Sequence, residues 1–425
     1  MDSKNVIAAI ALSSAVIVLY SLFFMPEKTV TNKNLAEKNK IEQNTDTPSL
    51  DQKQTIKQIS REDALKQSKR ILFENQSIIG SISLKGAAID DLTFKNYNTT
   101  LENKEKVVLL GPRDTENGYL IESGFVTSDK NIDIPNSDTI WSLVGNNKLT
   151  NQSPIKLSWT NNQGITFEKE ISLDDKYLFT IKQSVLNSTD NEYDFYSYGQ
   201  IIRNKIPEIS NFYILHEGLI ATLDDELIEE DYDDIQEKKF SRISQKGWLG
   251  IGDKYWITSL IPPREKEFKT TFDYKKKFRV NFIATEPLEL NGKSKIEEEL
   301  QIIVAAKRVD IIDGYAESLN IDKFDLVIDW GFLYFITKPL FFGIDYFFKL
   351  LGNYGLAIIA ITICIRLAFF PLANFSFRSM AKMKALQPEM VRLKELHKDD
   401  KIKLQQEMMA LYKKEKVNPM SGCLP

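Results

Sequence analysis

The chain has 425 residues, a formal net charge of −4 and 43% hydrophobic residues, enough for two or three domains with a sizeable core. Its two cysteines, Cys364 and Cys423, cannot form a disulfide framework, and with only His216 and His397 and no CxxC or Cys/His spacing a zinc site is not expected. The charge is unevenly spread: residues 26–330 hold 40 Lys/Arg against 51 Asp/Glu, whereas residues 372–425 hold 11 against 6.

Residues 6–24, VIAAIALSSAVIVLYSLFF, carry no charge. At 1.5 Å per residue they reach about 28 Å, close to the roughly 30 Å of a hydrocarbon core. A cleaved signal peptide calls for a shorter apolar run and small residues at the cleavage site. Here the run ends in Phe23-Phe24-Met25-Pro26. Residues 1–25 therefore read as an uncleaved transmembrane anchor. Residues 26–58 are polar, lack aromatics and repeat Asn, Lys, Thr and Gln, the composition of a disordered tether.

From 59 to 319 the signals turn to β. ITFEKEISL places Ile165, Phe167, Ile171 and Leu173 on one face at period two, and YLFTIKQSV does the same with Tyr177, Phe179, Ile181 and Val185. RVNFIA and EEELQIIVA flank Asn291-Gly292, which predicts a hairpin. Many short strands separated by Asn/Gly/Asp turns imply a large antiparallel sandwich. The run DDELIEEDYDDIQE, 224–237, holds nine acids and no base but lacks the glycine and spacing of a calcium loop, so a solvated acidic loop is expected. A lone His216 reads as structural, and Trp248 and Trp256 as packing residues.

The stretch 330–372 is too long for one span and is interrupted by Lys338-Pro339, Asp345, Lys349 and Gly352-Asn353. Its first half mixes aromatics and charges, which suits an amphipathic helix in the headgroup interface, with a re-entrant pair as the alternative. The boundaries drawn are 320–352 for this interfacial segment and 353–372 for a transmembrane helix, with Pro371 as the helix end. The basic excess after 372 places that segment in the cytoplasm by the positive-inside rule. Residues 26–352 then lie outside, in the periplasm of a bacterium, and the N-terminus inside.

Beyond Pro371, Met380, Met383, Leu386, Met390, Leu393 and Leu396 recur at helical steps, as do Leu404, Met408 and Leu411 after a polar break. Asp399 or Asp400 can cap the second helix and Asn418-Pro419 can end it. This predicts a helical hairpin from about 375 to 417. Its Met380, Met383, Met390, Met408 and Met409 either pack the seam or form an adaptable surface for varied apolar partners.

Arg366 sits within AIIAITICIRLAFFPL, residues 357–372. A mid-membrane charge costs about 2.5–3.5 kcal/mol on insertion scales. With the helix ending at Pro371, Arg366 is roughly 8 Å from the cytoplasmic end and can snorkel. Alternatively it lines a wet cavity, with Thr362 four residues earlier and Gly355 further up on the same face.

The strings IRLAFFPLANFSFRSMAKMKALQPEM, LQQEMMALYKKEKVNPMSGC, WGFLYFITKPLF and GWLGIGDKYWITSLIP closely resemble the YidC membrane protein insertases of Gram-negative bacteria. The resemblance spans nearly the whole chain and is most specific from Trp330 onward. It implies a multi-domain membrane protein of the bacterial inner membrane. The periplasmic domain, 59–319, would be a mutarotase-like β-supersandwich without enzymatic chemistry, and an α-helical insertase core with a cytoplasmic hairpin, 373–425, would follow. Arg366 and Thr362 match the family's client-contacting groove positions. Implied partners are nascent membrane proteins, the lipid bilayer, the Sec translocon and the ribosome; no nucleic-acid specificity, cofactor or metal is implied. The family continues with three more core helices after NPMSGC, so a C-terminally truncated form is expected. The competing readings are a membrane-anchored, non-catalytic periplasmic scaffold and a periplasmic carbohydrate-active enzyme.

Overall fold

The computed structural model describes residues 59–102, 104–207, 216–331, 333–398 and 400–415. The expected anchor 1–25, the tether 26–58, Asp399 and Asn418-Pro419 lie outside the described residues. The chain divides into two compact units, Met1–Asp329 and Trp330–Pro425.

In the first unit, strands with alternating inward side chains build two sheets, one of eleven strands and one of nine. Pairing is antiparallel except where Arg70–Glu74 meets Lys148–Leu149 in parallel. Ile165–Leu173 buries every second residue, Ile165, Phe167, Lys169, Ile171 and Leu173. It pairs with Leu178–Asn187, with Phe167 opposite Val185 and Ile171 opposite Ile181. Apolar side chains from both sheets join one core cluster. Phe73, from the larger sheet, meets Phe179, from the smaller, edge-on at 5.2 Å. Each such burial contributes about 1.5–3 kcal/mol, so the period-two pattern is what holds the two layers together. This is the large all-β domain expected from the sequence. Trp248 is fully buried against Phe324, and Trp256 stacks on Phe94 at 4.6 Å, so both tryptophans are packing residues.

Three expectations for this unit are corrected. Asn291-Gly292 does not join a hairpin. Leu288–Leu290 pairs with Tyr193–Arg203 in one sheet, whereas Lys295–Ala306 runs between Leu178–Asn187 and Trp256–Ile261 in the other. The turn is a crossover between layers. A Cβ at Gly292 would come 2.7 Å from the Asp190 carbonyl oxygen, so close backbone approach demands the glycine there. The acidic run 224–237 is not a loop: Glu226–Asp231 is a strand and Tyr232–Glu237 a helix, anchored by buried Ile228, Tyr232 and Ile235 while the acids face outward. Residues 320–329, assigned to the interfacial segment, instead join the sandwich core through Ile321, Phe324 and Val327. Three of the five apolar side chains in these ten residues are buried there.

Helices are numbered along the chain: α1 (Arg61–Lys66), α2 (Tyr232–Glu237), α3 (Val309–Ser318), α4 (Tyr334–Leu351), α5 (Tyr354–Ala385), α6 (Gln387–Leu396) and α7 (Lys401–Lys414). In the second unit, Gly352 ends α4 with a left-handed φ of 66°, and the Asn353 side chain caps α5 by accepting from the Leu356 N–H at 3.2 Å. The two helices fold back on each other, with Phe348 and Tyr354 in ring contact at 5.1 Å and Gly343 against Ile361. Pro371 does not end α5, which continues for 14 more residues to Ala385. Proline removes one helical hydrogen bond, and the runs of good helix formers on both sides carry the helix through that loss. The first arm of the expected hairpin is accordingly divided: Met380 and Met383 belong to α5, and a new helix, α6, starts at Gln387-Pro388, where proline suits the first turn.

Candidate functional site

Among the described residues, α5 is the one helix long and apolar enough to cross a membrane. Only Ala357 and Ser376 of its residues are buried. Leu367, Phe369 and Phe370 are each more than 60% exposed. Thr362 is exposed on this helix, and its Oγ1 donates to the Ile358 carbonyl at 2.7 Å, which satisfies the hydroxyl within the helix and leaves its lone pairs open. Arg366 follows one turn later, also exposed, with no ion-pair or hydrogen-bond partner among the described residues. The two lie on one helix face. With α5 unbroken at Pro371, the helix end no longer sets the snorkelling distance.

The methionines are distributed over three helices. Met380 lies about 21 Å along α5 from Arg366 by the helical rise, so the structure does not bring these two sites together. α6 and α7 do form an antiparallel pair: the Tyr412 hydroxyl donates to Met390 Sδ at 3.8 Å, joining the start of one helix to the end of the other. Asp400 caps α7 by accepting from the Lys403 N–H at 3.0 Å. Met383, Met390 and Met408 are half-buried, whereas Met380 and Met409 are exposed.

In the sandwich, no group of three or more His, Cys, Asp or Glu among the described residues could hold a metal ion. His216 is buried with Nδ1 3.2 Å from Asp231 Oδ1, and burial holds it below the ordinary histidine range against the opposing pull of that carboxylate. Among the described residues, two of the nine acids of 224–237 form ion pairs with Lys or Arg side chains, Asp225 with Lys246 at 2.8 Å and Glu226 with Arg242 at 2.6 Å. One polar cluster escaped the sequence reading. Lys169 occupies an inward position of its strand, next to Gln183 on the neighbouring strand, and its Nζ donates to the Ser123 carbonyl of the opposite sheet at 2.6 Å. The available signal was the lysine itself, seated where the alternation places only apolar residues.

Two family models match the chain: the YidC periplasmic domain over residues 70–342 and the 60Kd inner membrane protein over residues 346–425. The chain belongs to the YidC family of membrane protein insertases. The membrane protein insertase YidC of Pelagibacter ubique (strain HTCC1062) is 71% identical over 425 residues, a match covering 100% of this chain and 76% of that protein. YidC of Rickettsia rickettsii (strain Iowa) is 41% identical over 431 residues, covering 99% of this chain and 76% of the relative. Among solved structures, an active YidC insertase with its first transmembrane domain resolved matches at 15% identity and TM-score 0.28, over 84% of this chain and 68% of that one. A galactose mutarotase related enzyme from Lactobacillus acidophilus matches at 12% identity and TM-score 0.42, over 56% and 97%. As a YidC-family insertase, this chain acts in the inner membrane, with newly made membrane proteins as clients and the bilayer as the medium it works on. Its architecture, a large periplasmic β-domain followed by an apolar helical region, is the family's own.

Proposed function

We propose that α5 forms one wall of a hydrated groove open to the cytoplasmic leaflet, in which Arg366 is the charged foothold and Thr362 a client-contacting position. The supporting observation is the exposed Arg366 guanidinium, one turn from Thr362 in the apolar run of α5 and without a partner among the described residues. A client's polar tail meets a cost of several kcal/mol per unsatisfied group in hydrocarbon. A positively charged, wet notch shortens that apolar path and attracts acidic tails, after which the client's hydrophobic segment partitions into lipid. No covalent step is involved; the protein lowers a barrier.

In this reading residues 1–25 are an anchor with a cytoplasmic N-terminus, 26–352 are periplasmic and 373–425 cytoplasmic. α4 lies in the headgroup interface: the rings of Trp330, just before it, and of its own Tyr334 lie 5.7 and 5.5 Å from the Lys338 ammonium, an aromatic–basic grouping suited to that depth. The α6–α7 pair, with exposed Met409 nearby, receives clients delivered by the ribosome or the Sec translocon. A photo-crosslinker at position 362 in the intact protein, challenged with a nascent client in inner-membrane vesicles, is expected to give an adduct. Arg366→Lys should preserve insertion of a client with an acidic tail, and Arg366→Ala should reduce it by roughly tenfold, about 1.4 kcal/mol in barrier. Adducts confined to the periplasmic domain, with no effect of either substitution, would instead favour a scaffold.

A further inference from the structure

The sandwich contains a recess that the insertase reading leaves unused. It has a volume of about 20 Å³ and is lined by Lys169, Gln183, Trp141, Phe167, Glu122 and Tyr198, among others. A water-sized group needs roughly 10–15 Å³, so the space admits about one heavy atom with its hydrogens.

The recess has a structural origin. Tyr119–Val126 pairs along its length with Tyr193–Arg203, but on its other side it meets Ile89–Asn98 only at Ile121. Beyond Ile121 that edge lacks a continuous ladder partner. Lys169 and Gln183, from the facing sheet, donate to carbonyls of this stretch: Lys169 Nζ to Ser123 O at 2.6 Å and Gln183 Nε2 to Gly124 O at 3.3 Å. Trp141 lies beneath the Lys169 ammonium, 5.2 Å from it.

All three side chains are more than nine-tenths buried, and their hydrogen bonding is incomplete. Lys169 is 3% exposed and makes one hydrogen bond among the described residues, although an ammonium carries three donors. Trp141 Nε1 and Gln183 Oε1 are buried without partners. A buried, unmade hydrogen bond costs about 1–3 kcal/mol, so three such groups around one small space favour a small hydrogen-bonding partner there. Glu122 is not that partner, because its carboxylate is held by Arg113 and by Gln200 Nε2 at 2.9 Å. Glu168, also at the lining, is paired with Lys156 at 2.8 Å.

The lining has a definite composition. The recess offers N–H donors from Lys169 and Trp141 and one acceptor, Gln183 Oε1. An alcohol hydroxyl has one donor and two acceptor lone pairs, and it is one heavy atom in size. A cation is opposed by Lys169, and a carboxylate by the volume and by Gln183 Oε1. We propose that the Lys169–Trp141–Gln183 recess is a binding subsite for the hydroxyl group of a small, neutral alcohol. Burial lowers the Lys169 amine to about 8, so near that pH it is present in both forms, each with N–H groups to offer a hydroxyl oxygen.

The test uses the full chain in detergent micelles with ¹⁵N-labelled tryptophan. The protein has five tryptophans, so five indole N–H signals report in parallel, and Trp141→Phe assigns the relevant one. Glycerol is the probe, and dimethoxyethane, a similar-sized ether without a hydroxyl donor, is the control. The expected result is a saturable shift of the Trp141 signal with glycerol and none with the ether, abolished in Gln183→Met and in Lys169→Met. The Trp248 signal, from the fully buried core, serves as the check that each variant is folded. A Trp141 signal that is unmoved by glycerol, moves linearly with every indole, or responds equally to the ether would overturn the proposal and leave an ordered water as the occupant. Clients are not involved in this readout, so its failure leaves the α5 groove untouched.

Discussion

The two halves of this chain use the same apolar residues for opposite ends. In the sandwich, Phe179, Leu260 and Ile302 are fully buried, and phenylalanines from facing sheets meet edge-on. Along α5, leucine, isoleucine and phenylalanine are mostly exposed. The difference lies in the surrounding medium. In water, apolar side chains are driven into a common interior; in lipid that drive between helices vanishes, and packing plus polar contacts decide what associates. An apolar residue therefore reports on stability in one half and on solvation by the bilayer in the other. Ion pairs divide the same way. Arg203 and Asp253 are nearly buried at 2.6 Å, with Tyr232 and the Tyr119 ring around the guanidinium, whereas Lys349 and Asp345 form an exposed i,i+4 pair at 2.7 Å.

The strongest test of this contrast is paired truncation. Phe179→Ala should destabilise the sandwich by about 3–5 kcal/mol in denaturant unfolding, through lost burial and a residual cavity. Leu367→Ala on α5 should cost about 1 kcal/mol or less in micelles. Equal costs would mean that α5 is packed like a soluble core helix. Breaking the ion pairs comes next. Arg203→Ala leaves Asp253 buried without its partner and is expected to cost about 3–5 kcal/mol, whereas Lys349→Ala should remove only about 0.3–0.5 kcal/mol, read in the same unfolding experiments.

A third prediction concerns pH. Burial lowers Lys169 to about 8 from the 10.5 of an unperturbed lysine. Between those values the unfolded chain binds more protons than the folded one, so this residue makes stability rise with pH. The increase should be visible from about pH 8 to 9, before tyrosines with their ordinary value of about 10 ionise appreciably, and should be flattened in Lys169→Met. A stability curve of unchanged slope in that variant would show Lys169 to be solvated in the folded state. A local effect is expected at the hairpin: Asp400→Ala removes the α7 cap and should cost about 1 kcal/mol, seen as loss of helicity confined to α7.

Several elements were legible from local pattern. Alternation revealed the strands around Phe167 and Phe179, a polar break with a capping aspartate marked the start of α7, and the helical spacing of Met390 and Met408 announced the paired helices. Arg366 and Thr362 stood out because a charge and a hydroxyl one turn apart are conspicuous in an apolar run. Other signals misled because local chemistry has more than one tertiary use. Asn291-Gly292 makes a tight turn whether the flanking strands pair with each other or enter different sheets. Pro371 lacks an N–H wherever it stands, yet a long helix absorbs the loss. Nine acids read as a loop until Ile228, Tyr232 and Ile235 fastened them to the core.

The amino-acid sequence alone determined which segments are apolar, with what period, and where charge interrupts them, because those properties are carried by each residue and its near neighbours. It therefore set the β-rich middle, the membrane-compatible helix and the basic region after it. Only the tertiary structure decided which strands share a sheet, that residues 320–329 complete the sandwich core, and that Lys169, Gln183 and Trp141 converge where a strand loses its partner. Those outcomes depend on contacts between residues far apart in the chain, formed when two layers close over one interior, and no local pattern encodes which distant carbonyl a buried amine will reach.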